Sequence, residues 1–581
     1  MEDTYMVRRK TRRRGTRVPL WKKALGLGCI AALAYILITT FVIRSVDEIT
    51  DWRGFEKPIF VQGELMDYEA KGSNESLKLP LSVLQEKVDP SIRYEGSEGT
   101  IILTSPDKVL QLTKDEEQGE LNGKPYILQT VPEETEGELY IPVQALKEVY
   151  GISVHESADT GAVLLMNQGE TIEYAVAAGN GKQKESEERI SLYQKPNNQS
   201  VIVKKMNLGD RVRIWSSDGK WLFVQLDSGY AGYVLASEVK RAETVTVPKL
   251  EVAPTAAEQR WKDKTINLTW EAVYNRAADP DTLSVLKGVN VVSPTWFEIS
   301  DDKGNVASKA DPAYVKKAKS LGIEVWGLIS NAFDADLTAA ALSTYEKRNT
   351  IITQMIEYAK TYQLDGINVD FESVYTEDGP NVTQFMRELR PYAKENDLVL
   401  SIAVTPKSNS ELWSKFLDRR SLGQIIDYMM VMTYDEHWAT SPIAGSVSSI
   451  PWTTAAMTKI MDEDEVPAGK LLLGVPTYTR VWTEEMAEGE IKVRSKAIGM
   501  DTAQEIISTQ KLTPQYLEDT GQHYVEYEEQ GVLNKIWLED KTSLRARVEL
   551  AERLELAGVA SWSRSFANEG AWAVLNRIHI N

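Results

Sequence analysis

Polar and apolar residues alternate along Leu364-Asp365-Gly366-Ile367-Asn368-Val369-Asp370-Phe371-Glu372. In a strand, side chains two apart share a face, so Ile367, Val369 and Phe371 lie on one side and Asn368, Asp370 and Glu372 on the other. On a surface strand the polar face would simply meet water. The neighbourhood argues otherwise. Short β-rich runs recur at Ile266–Trp270, Val289–Pro294, Glu324–Ile329, Gly366–Phe371, Leu398–Val404, Tyr428–Thr433, Leu471–Val475 and Gly558–Ser563. Helix-like segments separate them, for example Ala313–Leu321, Thr350–Tyr362 and Val382–Glu395. Eight strands with intervening helices predict an α/β fold, a (β/α)8 barrel over residues 263–581, whose parallel strands are covered on both faces. A row of acids on such a strand points into the barrel and ends at its mouth. The region exceeds the roughly 250 residues usual for this fold. The surplus falls between strands 7 and 8, where Tyr524–Tyr527 and Asn534–Leu538 predict a hairpin in a small α+β insertion.

Upstream the pattern changes. Residues 45–185 contain an internal repeat: Leu79-Pro80-Leu81-Ser82-Val83-Leu84 matches Ile141-Pro142-Val143-Gln144-Ala145-Leu146, and Ile101-Ile102-Leu103 matches Val163-Leu164-Leu165, at one constant offset. Each unit predicts a Pro-started helix followed by two short strands, a stalk-like α+β module. Gly179 to Glu188 is a polar linker. Residues 189–242 are a small β-barrel module: Ile190–Tyr193, Val201–Val203, Arg211–Trp215, Trp221–Leu226 and Gly232–Val234 are strand-like runs divided by turns such as Ser217-Asp218-Gly219. Residues 243–262 form a second linker.

At 581 residues three or four domains are expected. The net charge of −19 conceals a split, since residues 1–23 carry nine Lys/Arg against Glu2 and Asp3. The remainder is strongly acidic and speaks against nucleic-acid binding. Ala24 to Ile43 holds no charged residue, and about 20 apolar residues span a hydrocarbon core of roughly 30 Å. This predicts an uncleaved transmembrane anchor at 24–43 with the basic tail 1–23 on the cytoplasmic side. The protein is then expected at the cell membrane, single-pass, with everything beyond the anchor outside the cytoplasm. The lone cysteine, Cys29, falls inside the anchor, so the exported part is held without disulfides.

The chemistry gathers at strand ends, where such barrels place function. Glu372 ends the fourth strand, with Asp370 two residues before it. Met432-Thr433-Tyr434-Asp435 ends the sixth and Gly474-Val475-Pro476-Thr477-Tyr478-Thr479-Arg480 the seventh. Ser561-Trp562-Ser563 ends the eighth, and Trp270, Trp296 and Trp326 end or lie in the first three. Each aromatic alone is as readily explained by core packing. Together they predict an acidic, aromatic-lined mouth suited to sugars, whose apolar ring faces stack on Trp or Tyr and whose hydroxyls need acceptors.

Asp365-Gly366-x-Asn368-x-Asp370-x-Glu372 resembles the DGxDxDxE signature of glycoside hydrolase family 18, which holds chitinases and bacterial peptidoglycan and spore-cortex N-acetylglucosaminidases. The resemblance extends to the Met-x-Tyr-Asp strand, the Gly-x-Pro-x-Tyr-x-Arg strand and the terminal Trp, and covers the barrel with its insertion. It implies a retaining glycosidase in which the substrate's own 2-acetamido group attacks the anomeric carbon. Glu372 is then the acid and later the base, Asp370 binds the acetamide N–H, and Tyr434 donates to the acetamide oxygen. Trp562 floors the sugar, while Asn368, Met432, Asp435, Tyr478, Arg480 and Trp296 are expected to line the substrate site. Upstream, the repeat module resembles the copper-amine-oxidase N-terminal-like domains of bacterial surface proteins, without a visible copper ligand set. The β module resembles bacterial Src-homology-3-like domains, some of which bind cell-wall peptides.

One position departs from the signature: Asn368 stands where the family has its middle Asp. Its amide is expected to hydrogen-bond Asp370 and fix its rotamer, and the missing charge to ease ionisation of Asp370. The spore-cortex and wall-associated members that this chain resembles often carry Asn there, so the resemblance implies peptidoglycan-type substrates rather than crystalline chitin. His437 is the one histidine near the mouth, with no second at ligand spacing, so no metal and no cofactor is expected. The sequence thus implies a membrane-anchored extracellular glycosidase acting on N-acetylglucosamine-containing glycan. Two alternatives stand beside it: a non-catalytic glycan-binding surface protein, and a spore or division scaffold in which the upstream modules do the work.

Overall fold

Eight strands form the barrel: β1 (Ile266–Glu271), β2 (Val291–Ile299), β3 (Glu324–Ser330), β4 (Gly366–Asp370), β5 (Val399–Val404), β6 (Tyr428–Val431), β7 (Leu471–Pro476) and β8 (Gly558–Trp562). All neighbouring pairs are parallel, and the circle closes because β1 pairs with both β2 and β8. The computed structural model describes residues 52–179, 189–274, 278–487 and 490–579.

Strand parity sorts the side chains. On β4 the odd-numbered Ile367, Val369 and Phe371 join the apolar layer between strands and helices. The even positions face the interior, where β1 supplies Leu268 and Trp270, β3 Trp326 and Leu328, and β6 Met430. Gly366 is a glycine because a Cβ there would sit 2.8 Å from the Trp326 ring. The outer layer is built by helices that follow the strands, chiefly α1 (Pro312–Ser320), α2 (Tyr345–Tyr362), α3 (Gly379–Glu395) and α4 (Lys541–Arg553). Asp caps α1 and α4, each accepting from backbone N–H groups of the first turn.

The end of the barrel at the strands' N-termini is plugged. The short helix Ala256–Trp261 brings Trp261 edge-on to Trp326. Both indole N–H groups donate to Glu324 Oε2 at 3.0 Å, and Tyr428 stacks on Trp326. This corrects one expectation: Trp326 lies in the strand's first half and closes the floor rather than lining the mouth.

Between β7 and β8 lies the expected insertion, larger than the single hairpin read from the sequence. A five-stranded antiparallel sheet runs in the order Glu490–Gly499, Tyr478–Ala487, Val532–Leu538, Gln522–Glu529, Gln515–Leu517, with the helix Met500–Thr509 beside it. Its own small core includes Ile498, Ile507, Val525 and Ile536.

Contacts divide the chain into two compact units, one of Met1–Val88 with Thr135–Leu250, the other of Asp89–Glu134 with Glu251–Asn581. The predicted stalk region is thus shared between them. In the first unit the two repeat helices, Leu81–Lys87 and Val143–Tyr150, each follow a proline, and Leu79 pairs with Ile141, its counterpart in the other repeat. All five strands of the β module form. Their sheet also takes in Thr171–Ala177 and Val239–Thr246 to reach seven strands. In the second unit, strands between Arg93 and Ile127 make a separate five-stranded antiparallel sheet against α2 and α3. There Arg348 is fully buried, bonded to Glu388 and to Glu95 at 2.8 Å each. The predicted membrane span lies outside the described residues. Among the described residues no helix is long and apolar enough to cross a membrane.

Candidate active site

Asn368, Asp370 and Glu372 rise along one side of β4 toward the strand's C-terminal end. Asn368 is fully buried and its amide is saturated inside the barrel. Its Oδ1 accepts from Trp270 Nε1 at 3.0 Å and Ser293 Oγ at 3.4 Å, and its Nδ2 donates to Ser401 Oγ and Met430 Sδ at 3.2 Å. The expected bond to Asp370 is not made, because those four neighbours on β1, β2, β5 and β6 use every donor and acceptor of the amide. Asn368 ties the strands together below the site. It is a strut and not an orienting group.

Asp370 is buried with Oδ1 lacking any hydrogen-bond partner among the described residues. Burial pushes its carboxyl up to about 7. The neutral amide at Asn368 therefore does not make Asp370 easy to ionise, because desolvation outweighs the missing charge. Glu372 is raised well above the usual carboxylate range, first by burial, then by the charges of Asp370 and Asp435. Its peptide is held by Asn331 at the end of β3: Glu372 N donates to Asn331 Oδ1 at 3.0 Å, and Asn331 Nδ2 donates to Glu372 O at 2.7 Å. Nothing in the sequence pattern pointed to Asn331. Its partner is a main-chain group, and strand parity carries no signal past the end of β3.

Tyr434 and Asp435 follow β6. Tyr434 is half-buried and packs with Trp562 and Met432 on the interior cluster. Burial and the nearby Asp370, Tyr478, Glu372 and Asp435 raise its phenol well above the ordinary value, so it remains a hydrogen-bond donor. Asp435 sits in the left-handed region at φ 59°, which Asp tolerates better than most residues. Tyr478 and Arg480, two apart on the first strand of the insertion, both reach it: Tyr478 OH donates to Asp435 Oδ1 at 2.7 Å and Arg480 Nη2 at 3.0 Å. The insertion is therefore tied to the site at its root. Trp562, at the end of β8, is half-buried with its ring 6.0 Å from Trp270. The peptide bond from Trp562 to Ser563 is cis. Behind it Arg564 forms a bidentate ion pair with Glu271 at the end of β1, to which Tyr314 OH also donates.

Trp296 does not join this group. It shares parity with Val292 and packs edge-on against Tyr314 of α1 in the outer layer, 1% exposed. The sequence placed it by its nearness to a strand end, and parity overrides that. His437 bonds Ser446 O through Nδ1, and no cluster of metal-ligating side chains occurs among the described residues.

The site combines a carboxyl whose ionisation burial and neighbouring acids disfavour, a second buried carboxyl with unused acceptor capacity, a phenol donor and a partly exposed indole. That set can protonate a leaving oxygen, stabilise a developing cation and seat a sugar ring.

Residues 316–567 match the sequence model of glycosyl hydrolases family 18, and residues 60–165 that of the copper amine oxidase N-terminal domain. Over 301 residues the chain is 25% identical to the uncharacterized glycosylase YvbX of Bacillus subtilis, covering 50% of this chain and 84% of that protein. Over 248 residues it is 27% identical to a cortical fragment-lytic enzyme of Bacillus anthracis, covering 42% of this chain and 56% of that enzyme. Among solved structures, the spore cortex-lytic enzyme SleL of Bacillus megaterium aligns at a TM-score of 0.49 with 21% identity, over 57% of this chain and 77% of that one.

Proposed function

We propose, from the premise that the barrel is a glycosidase domain of family 18, that it cleaves β-1,4 bonds beside N-acetylglucosamine in peptidoglycan or a chitin-like polymer. Glu372 carries the reading. A carboxyl whose ionisation is disfavoured by burial and by two neighbouring acids is what a general acid requires. As Glu372 gives its proton to the leaving oxygen, the substrate's acetamide oxygen attacks the anomeric carbon and forms an oxazolinium ion. Asp370, whose carboxyl burial pushes up to about 7, accepts in its ionised form from the acetamide N–H and balances the cation. Tyr434 donates to the acetamide oxygen, and Trp562 supports the ring. Water then opens the oxazolinium with Glu372 as base, and the configuration is retained.

The likeness to cortical fragment-lytic enzymes supports peptidoglycan as the polymer. The charge-free run at 24–43 behind a basic tail supports a single-pass anchor that places the barrel outside the cytoplasm. The Src-homology-3-like module is then a candidate contact to wall peptides. The mechanism is tested by comparing N-acetylglucosamine oligomers with their de-N-acetylated counterparts, following the anomer released by NMR. Cleavage of the acetylated oligomer alone with initial release of the β-anomer is expected. Equal cleavage of both would refute substrate assistance.

A further inference from the structure

The backbone around Glu372 leaves the regular ladder abruptly. The last pair in register between β3 and β4 is Ser330 with Asp370. Just beyond, both chains turn through left-handed conformations at non-glycine residues: Ala332 and Phe333 at φ 56° and 57° on one side, Ser373 at φ 54° on the other. Such conformations are unfavourable for residues with a Cβ, and they persist only where surrounding interactions impose them.

At that level the fully buried Asn331 takes the place of the missing peptide pair. Its amide bonds both the N–H and the C=O of Glu372. The remaining capacity is also used, as Nδ2 donates to Thr338 Oγ1 at 2.7 Å and Oδ1 accepts from Phe333 N at 3.4 Å. Thr338 is itself fully buried and donates to Asp334 O at 2.6 Å. Asn331 is not needed as a helix cap, since Asp334 caps the next helix. Apart from the bond from Phe333 N within its own loop, the main-chain groups its side chain serves both belong to Glu372.

We propose that Asn331 is a positioning residue that fixes the main chain of Glu372, and so aims its carboxyl, with Thr338 holding the amide in its rotamer. Holding the acid through its peptide leaves its carboxyl free to give and take the proton. The inference rests on Glu372 being the acid, so the test carries Glu372→Gln in parallel.

Asn331→Ala, Asn331→Asp and Thr338→Val are made in the full chain and assayed on a soluble β-1,4 N-acetylglucosamine hexamer. Asn331→Ala is expected to lower kcat by roughly 30- to 100-fold, the scale of a displacement near 1 Å at a catalytic group, with KM within about twofold. Asn331→Asp keeps the acceptor for Glu372 N–H and should fall between wild type and Ala. Its added charge should move the basic limb of the kcat profile to higher pH. Thr338→Val should show a smaller kcat loss, and it carries the test if Asn331→Ala does not fold. Wild-type kcat in Asn331→Asp and Thr338→Val, with Glu372→Gln inactive, overturns the proposal alone. So does a loss that vanishes once activity is scaled to the folded fraction by circular dichroism. Full activity in Glu372→Gln overturns the acid assignment and the proposal with it.

Discussion

Replacing Asp370 by Asn should make the stability of the second unit less sensitive to pH. Asp370 rises from an ordinary 3.8 to about 7 because folding strips water from it without supplying a partner for Oδ1. A carboxyl raised on folding contributes no penalty below its unfolded value, and stability is lost as pH climbs toward the folded value. The window is therefore about 4 to 7. Each unit corresponds to about 1.4 kcal/mol, so between pH 5 and pH 8 this one group removes on the order of 3 kcal/mol. Asn cannot titrate, and whatever its amide loses by burial is the same at both pH values. The gap between variant and wild type should thus move by ~3 kcal/mol in the variant's favour, or ~6 °C at the roughly 2 °C per kcal/mol typical of a large domain. Easing of Glu372 by removal of the neighbouring charge acts in the same direction. Thermal unfolding of both proteins at pH 5 and pH 8, followed by tryptophan fluorescence, measures the gap. An equal gap at the two pH values would refute the claim that Asp370 is buried at the expense of stability.

Further outcomes follow from the same geometry. Asn368→Asp installs the residue of the family 18 signature but places a carboxylate where Ser401 already donates to Ile367 O and Met430 offers no proton. It should lose on the order of 2–4 kcal/mol at pH 8 and little at pH 4, as pH-dependent melting checks. Arg348→Met leaves Glu388 and Glu95 facing each other without their shared cation. A loss of about 3–5 kcal/mol is expected in denaturant unfolding, with kcat of the folded fraction unchanged. Trp562→Ala should raise KM for N-acetylglucosamine oligomers by roughly 10-fold or more through lost ring contact, measured by initial rates.

The barrel was legible because its strands obey simple rules. Each predicted strand is present, with ends moved by a few residues, and β4 shows the alternation read from its sequence. Where the sequence misled, the cause was a partner distant in the chain. Asn368 was expected to serve its near neighbour Asp370, but Trp270, Ser293, Ser401 and Met430 approach from four other strands and claim its amide. Trp296 was placed by proximity to a strand end, yet its parity turns it toward Tyr314. The repeat made the hairpins near Ile101 and Val163 equivalent. In the fold, Ile102 and Val109 pack with Tyr345, while Val163 pairs with Ile59. Nothing local separates those fates. The tie of Asn331 to the Glu372 peptide was invisible for the same reason.

The most direct test of the account is product release by Glu372→Gln. Gln keeps the size and shape of the side chain while removing the proton that the leaving oxygen needs. Wild type and variant are incubated with N-acetylglucosamine oligomers and with purified peptidoglycan, and new reducing ends are counted alongside binding by calorimetry. Cleavage by wild type is expected, with a rate lower by about 10²–10⁴ in the variant and binding retained in both. Equal release from both would contradict the role of Glu372. Binding without release from either would make the barrel a lectin.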